Sequence, residues 1–160
     1  MFSLFFTIGM AHTDADPASQ FDFWVGTWTM ETETRSDPRK DEWQKSKSTN
    51  KIEKVMDGKV IQENFSGDGL TGKSWSVYDA KNGVWRQTWV DNQSSYISLT
   101  GKFENGQMVL NKLPNADGER PYRMIFKDIK KDSFEWIWEI QMKDGKWAPM
   151  FICHYKRKKS

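Results

Sequence analysis

Turn-forming dipeptides recur along this chain at spacings that leave room for little except antiparallel strands. Asp57-Gly58, Asn82-Gly83, Asn105-Gly106, Asp117-Gly118 and Asp144-Gly145 are joined by Gly67-Asp68-Gly69. Asn-Gly and Asp-Gly reach the positive φ that tight hairpin turns need. Weaker turn signals fall at Asn92–Ser94 and Lys131–Ser133. The intervals between these marks run to roughly seven to twelve residues, which is the spacing of a β-meander.

Within the intervals, side-chain character alternates. Trp85, Gln87, Trp89 and Asp91 fall on one face of a strand, and Val84, Arg86, Thr88 and Val90 on the other. Phe134, Trp136, Trp138, Ile140 and Met142 oppose Glu135, Ile137, Glu139 and Gln141. Tyr122, Met124 and Phe126 oppose Arg123, Ile125 and Lys127. Period two is the strand period, because successive side chains leave opposite faces of the pleat. Helical spacing is not sustained anywhere. Short helices are expected at most at Pro17–Phe23 and around Pro38–Trp43.

Composition agrees. Nine Trp and ten Phe stand against five Leu and six Ala, a bias that suits half-buried pleated surfaces better than helical cores. The chain of 160 residues is the size of one domain. About eight to ten strands of sequential order and short connections close most simply into an antiparallel up-and-down barrel, which removes exposed edges. An immunoglobulin-like sandwich is the alternative, but it needs a crossover, and no long loop after residue 60 supplies one. A barrel of this size holds its own side chains or one small ligand. The single Cys153 forms no internal disulfide, so packing alone stabilises the fold.

The segment Phe21-Asp22-Phe23-Trp24-Val25-Gly26-Thr27-Trp28 resembles the opening of a bacterial family of uncharacterised lipocalin-like domains. Trp85-Arg86-Gln87-Thr88-Trp89-Val90-Asp91 resembles its middle motif, and Ser76-Val77-Tyr78-Asp79 fits just before it. The resemblance runs in order over residues 21–157 and implies a barrel of the wider calycin group. In that group the Gly of Gly-x-Trp lets the chain turn in close at the barrel floor, and the Trp plugs it. A basic residue on the last strand often packs over that Trp. Arg157 or Lys156 over Trp28, as a cation–π contact, is the implied counterpart. Residues 1–20 then form an N-terminal tail or a weak signal segment, and residues 21–157 the single barrel domain. Phe2–Met10 is apolar but is preceded by no Lys or Arg, so a cytoplasmic place is favoured over export. It is also too short to span a bilayer.

The chemistry-bearing residues are few. Gly-x-Ser-x-Gly and His-Glu-x-x-His motifs are absent, and Gly67-Asp68-Gly69-Leu70-Thr71-Gly72 reads as a hairpin, with no helix after it to hold phosphate. Cys153 and His154 are strand neighbours and point apart, which argues against a thiolate–imidazole pair. Packing is the expected role of Cys153. Nitrobindin-like barrels, another calycin branch, hold ferric haem through a His near the chain's end. Resemblance to them makes haem on a cavity-facing His154 the cofactor alternative, against a packed or exposed strand His. Otherwise no cofactor or metal is expected. Glu31, Glu33 and Asp37 near Asp41 and Glu42 read as a solvated loop rather than a cation site.

Polar residues set into apolar strands are the better candidates. Ile61, Glu63 and Phe65 share a face. If it looks inward, Glu63 is a buried carboxylate in need of a partner such as Arg123 or Arg86. If it looks outward, Glu63 is merely solvated, and one sequence leaves the register open. The expected function is binding of a small hydrophobic or aromatic ligand by Glu63, Tyr78, Trp85, Gln87, Trp89, Arg123, Trp136 and Trp138. The alternative is an enzyme using Glu63, Tyr78 and His154 for acid–base chemistry on a hydrophobic substrate. A barrel filled by its own side chains is a third possibility. The net charge of +2 argues against a nucleic-acid partner, although Tyr122 to Lys127 interleaves aromatics with cations.

Overall fold

The computed structural model describes residues 16–112 and 120–159. Two single turns of 3-10 helix, Pro17–Ser19 and Asp22–Trp24, lead into ten strands. These are β1 (Gly26–Thr34), β2 (Gln44–Val55), β3 (Val60–Gly67), β4 (Leu70–Asp79) and β5 (Val84–Asp91). They continue as β6 (Tyr96–Glu104), β7 (Gln107–Lys112), β8 (Tyr122–Lys130), β9 (Ser133–Gln141) and β10 (Trp147–Arg157). Each strand pairs antiparallel with its neighbour in sequence, and β1 pairs with β10, so the sheet closes into an up-and-down barrel with no free edge.

The turn signals sit where the strands reverse. At Asn105-Gly106 the two turn residues have φ of 52° and 76° between the paired Glu104 and Gln107, a two-residue hairpin turn that twists with the strands. Asp117-Gly118, His12 and the apolar run Phe2–Met10 lie outside the described residues. The short helix expected at Pro17–Phe23 appears as the two 3-10 turns, the first capped by Asp16 Oδ1, which accepts from Ala18 N at 3.0 Å. The one expected around Pro38–Trp43 is not formed. There Asp37 Oδ1 accepts from Arg39 N at 3.0 Å, and this local turn takes the place of a helical start.

Alternation decides what faces in. The Trp85, Phe134 and Tyr122 phases all point to the interior, and Lys and Glu point out. The core is concentrated at the end of the barrel where β1 begins. Phe21, Trp24, Trp28, Trp85, Phe126, Phe134 and Tyr155 pack there edge to face or tilted, and Phe134 stacks on Tyr155, with ring centroids 4.2–6.0 Å apart. Trp28 is fully buried and donates from Nε1 to Trp24 O at 2.8 Å. Arg157, opposite Trp28 in the β1–β10 ladder, lies over its ring at 4.1 Å. Lys156 faces outward with Thr29, so Arg157 is the residue that makes this contact. The guanidinium also donates to Val25 O (2.7 Å), Phe23 O (3.1 Å) and Lys131 O (3.0 Å). Gly26, with φ of 138°, makes room for it: a Cβ there would lie 2.2 Å from Arg157 Nη1. One arginine therefore ties the Phe23 and Val25 carbonyls, at the end of the second 3-10 turn, and the β8–β9 turn to the floor.

Candidate ligand-binding site

Above that aromatic floor the interior is not filled. A cavity of about 560 Å³ occupies the other half of the barrel. It reaches the surface between the end of β1, the start of β2, the β3–β4 turn and the β5–β6 turn. Its walls differ in character. Strands β8 to β10 supply Met124, Phe126, Trp136, Trp138, Phe151, Cys153 and Tyr155. Strands β2, β3 and β5 supply Ser46, Ser48, Glu63 and Gln87, with Phe65 and Trp89 nearer the mouth. The interior is thus an apolar, aromatic wall facing a wall of small polar groups.

Glu63 is the centre of the polar wall. Its face of β3 looks inward, and the residue is 7% exposed. Oε1 accepts from Asn50 Nδ2 at 2.7 Å, and Oε2 accepts from Ser74 Oγ at 2.5 Å. Asn50 Nδ2 also donates to the Tyr155 hydroxyl at 3.2 Å, while Asn50 Oδ1 is buried with no hydrogen-bond partner. Both partners of Glu63 are neutral. Burial therefore dominates, and pushes its carboxyl from 4.5 up to about 7 against the pull of the Ser74 and Asn50 hydrogen bonds. Gln87, buried beside it, donates from Nε2 to Ser76 Oγ at 3.0 Å.

The arginines expected to compensate Glu63 do not reach it. Arg123 is on the outer face of β8, where Nε donates to Glu139 Oε2 at 2.8 Å and the guanidinium covers the Trp147 ring at 4.2 Å. Arg86 faces out as well and pairs with Asp79 Oδ2 at 2.9 Å. The strand phase explains both: Arg123 alternates with inward Met124, and Arg86 with inward Gln87. Arg123 is therefore not part of the cavity.

The other expected site residues divide between cavity and floor. Trp89, Trp136 and Trp138 line the cavity. Trp138 stacks on Phe151 with centroids 5.3 Å apart. Trp89 lies across Gly72, where a Cβ would meet Cζ2 at 2.1 Å, and donates from Nε1 to Asp91 Oδ2 at 2.9 Å. That hydrogen bond, with the backbone of Ser95 and Gln93, holds the Asp91 carboxyl below its ordinary range. Trp85 and Tyr78 face inward too, but belong to the floor, with ring centroids 5.6 Å apart.

His154 points away from the cavity. Its side chain is 45% exposed, with Nδ1 3.4 Å from Glu135 Oε2 on the outer surface. The haem alternative called for a cavity-facing imidazole, and His154 does not face the cavity. Its neighbour Cys153 faces in, as alternation requires. It accepts from Thr32 Oγ1 at 3.3 Å, and burial pushes its thiol up to about 12. The loop acids are spread among separate partners. Glu33 pairs with Lys45 at 3.3 Å, Asp37 with Arg39 at 2.9 Å, and Asp41 accepts from Trp43 Nε1 at 2.9 Å. Among the described residues, no group of three or more His, Cys, Asp or Glu is placed to hold a metal ion. Around Tyr122 to Lys127 the aromatics face in and the cations out, so no single face interleaves them.

Sequence reasoning missed Asn50, Ser46, Ser48 and Ser74. The signal was present in Gln44-Lys45-Ser46-Lys47-Ser48-Thr49-Asn50-Lys51, where Lys alternates with small neutral residues. A strand that keeps every charge on one phase and only small polar groups on the other is marking an interior face that is not apolar.

A closed antiparallel barrel with an interior cavity open at one end is the architecture of lipocalin-like proteins. The sequence gives the family itself: the profile described as "Protein of unknown function (DUF1579)" matches residues 17–157, and the chain belongs to that family. No curated protein sequence matches it. Among solved structures, the S-type phycobiliprotein lyase CPES from Guillardia theta is similar at 15% identity and a TM-score of 0.58. The similarity covers 88% of this chain and 91% of that one. Rv2717c from M. tuberculosis is similar at 10% identity and a TM-score of 0.62, over 91% of this chain and all of that one. A protein of unknown function from the DUF3598 family of Nostoc punctiforme is similar at 13% identity and a TM-score of 0.56, over 86% of this chain and 49% of that one. Likeness at these identities concerns the fold. No helix among the described residues is long and apolar enough to cross a membrane.

Proposed function

We propose that this barrel binds a small, largely apolar or aromatic ligand in its interior, with the ligand's polar end at Glu63. The observation that carries the reading is the 560 Å³ cavity, in which a buried carboxylate faces an aromatic wall. Small-molecule sites run to about 300–1,000 Å³ and combine apolar lining with a few convergent polar groups. The likeness to a phycobiliprotein lyase supports a ligand-handling barrel at the level of architecture. The Arg157–Trp28 contact supports kinship with the calycin barrels.

The test is uptake of the apolar dye Nile red, read by its emission, in the natural protein and in Ser46→Trp. Ser46 lines the cavity on β2, and an indole there fills the passage. Saturable uptake that is lost in Ser46→Trp, with the fold retained, is expected. Absence of uptake, or equal uptake by the variant, refutes the reading. Native mass spectrometry of protein purified from its own host then gives the mass of any resident ligand.

One observation favours a second reading. A carboxyl with a pKa of about 7 is matched to general acid–base work near neutrality. Glu63 would then act without the expected Tyr78 and His154, which lie in the floor and on the outer surface. Loss of turnover with binding retained in Glu63→Gln supports the enzyme. Binding altered with no turnover found in either protein supports the carrier.

A further inference from the structure

The charges around the cavity are lopsided. Glu63, Asp68 and Asp91 line it, against one ammonium, Lys45, at the rim. Lys45 is already paired with Glu33 at 3.3 Å. With all four ionised the lining carries a net −2, inside a chain whose formal charge is +2. Low-dielectric walls concentrate such a field within a cleft and favour entry of the opposite sign.

The deep end of the cavity makes the same demand. Glu63 has one donor on each oxygen, and an ionised carboxylate has about four acceptor positions, so acceptor capacity remains toward the cavity. Both of those donors are neutral. A charge buried this way is stabilised by a cation with N–H donors far more than by another neutral group. Opposite it stand Trp136, Trp138 and Phe151, whose ring faces are attractive to an organic cation and to an apolar body alike.

We propose that the ligand of this cavity is an organic amine, whose protonated nitrogen pairs with Glu63 while its apolar or aromatic body lies on the β8–β10 wall. This rests on the ligand-binding reading above and specifies its chemical class. A fatty acid or other organic anion is disfavoured at the same place, because its carboxylate would meet Glu63 and the acidic mouth.

The experiment compares three probes of one length: decylamine, decanol and decanoate, each below its aggregation concentration and each displacing Nile red. At about pH 8, decylamine is expected to bind at least about tenfold more tightly than decanol, and decanoate more weakly than either, the margin being that of one charged hydrogen bond. In Glu63→Gln the decylamine advantage, read as the ratio of the decylamine to the decanol affinity within that protein, should vanish. A pH series on the natural protein gives an independent readout, with the advantage fading as pH falls through about 7. The groups that face Glu63 from the packed strands are Asn50 on β2, Ser74 on β4, Gln87 on β5, and Cys153 and Tyr155 on β10. The first three do not titrate. Burial raises both the Cys153 thiol and the Tyr155 phenol, so neither ionises in the range, and Asp91 stays charged because its pKa is lowered.

Equal or tighter binding of decanol or decanoate overturns the amine proposal and leaves the cavity reading standing. An amine advantage that survives in Glu63→Gln overturns Glu63 as the counter-ion. Nile red uptake that none of the three probes displaces overturns the amine proposal, and failure of Nile red itself to bind overturns the underlying reading as well.

Discussion

Replacing Glu63 with Gln should make the protein more stable at neutral and alkaline pH. The carboxyl moves from 4.5 to about 7 on folding, with burial as the main cause. Below pH 4.5 the side chain is protonated in both the folded and the unfolded chain, and it contributes no difference. Between 4.5 and about 7 the folded protein holds a proton that the unfolded chain releases, so stability falls as pH rises. Above that window the full penalty persists. A shift of roughly two and a half units corresponds to about 3 kcal/mol. Gln reproduces the neutral form. Its carbonyl can accept from Asn50 Nδ2, and its amide can donate to Ser74 Oγ, since a hydroxyl both donates and accepts.

The assay is urea unfolding of both proteins, stripped of ligand and followed by tryptophan emission, at about pH 4.5 and about pH 8. Every other titrating group is common to the two proteins, so the difference between them isolates residue 63. Glu63→Gln should gain about 3 kcal/mol on the natural protein between the two conditions, or ~6–12 °C in Tm for a chain of this size. A difference that stays constant within about 0.5 kcal/mol would show that Glu63 is hydrated or paired and does not carry the burial penalty.

Three further outcomes follow from the packing. Arg157→Lys keeps the charge but loses the planar fork that serves Val25, Phe23 and Lys131, and should cost about 2 kcal/mol in urea unfolding, with a shift in emission from the Trp28 environment. Cys153, with its thiol pushed up to about 12, should not react with an aromatic disulfide reagent at neutral pH and should react once urea unfolds the barrel; prompt native reaction would show that burial does not hold the thiol protonated. Gly72→Ala drives a Cβ into the Trp89 ring, whose Cζ2 would lie 2.1 Å away, so it should tilt Trp89 into the cavity mouth and weaken Nile red uptake several-fold with little change in far-ultraviolet circular dichroism.

The barrel was legible because its determinants are local. Asn105-Gly106 sets a hairpin by its own backbone preference, and Trp85, Gln87 and Trp89 set a face by period two. Among the described residues, Asp-Gly or Asn-Gly also marks the β2–β3, β3–β4, β4–β5 and β9–β10 reversals, whereas at β5–β6 Asp91 Oδ1 closes the turn by accepting from Gln93 N and Ser95 N. The β1–β2 connection was misread, because helix-like composition at Pro38–Trp43 loses to an Asp37 side chain that closes the turn first. The site was legible in part. Alternation put Gln87, Trp89, Trp136 and Trp138 on the right side of the sheet, yet left the sign of the Glu63 face open. That sign is a tertiary matter, decided by Asn50 on one neighbouring strand and Ser74 on the other. Arg123 illustrates the limit most clearly. A buried carboxylate asks for a cation, and sequence offers one, but strand phase sends Arg123 to Glu139 on the outside. Tyr78 and Trp85 face inward as expected, and only the height of the aromatic floor excludes them from the cavity.

What makes this barrel a container is where its small residues fall. Ten strands enclose more space than one floor of rings can fill, so the remainder depends on side-chain size strand by strand. On β8 to β10 the cavity-facing positions are Phe, Trp, Met and Tyr with Cys153, so these three of the ten strands form the bulky wall. On β2 and β4 the inward positions include Ser46, Ser48, Asn50, Gly72, Ser74 and Ser76, which end short of the axis. Leu at Ser46 and Ser48, which line the cavity, would bury more apolar surface and fill it. The chain instead keeps hydroxyls and an amide around a carboxylate that costs stability at neutral pH. Packing gives no reason to retain Glu63 there, whereas a ligand that meets its charge from inside the cavity does.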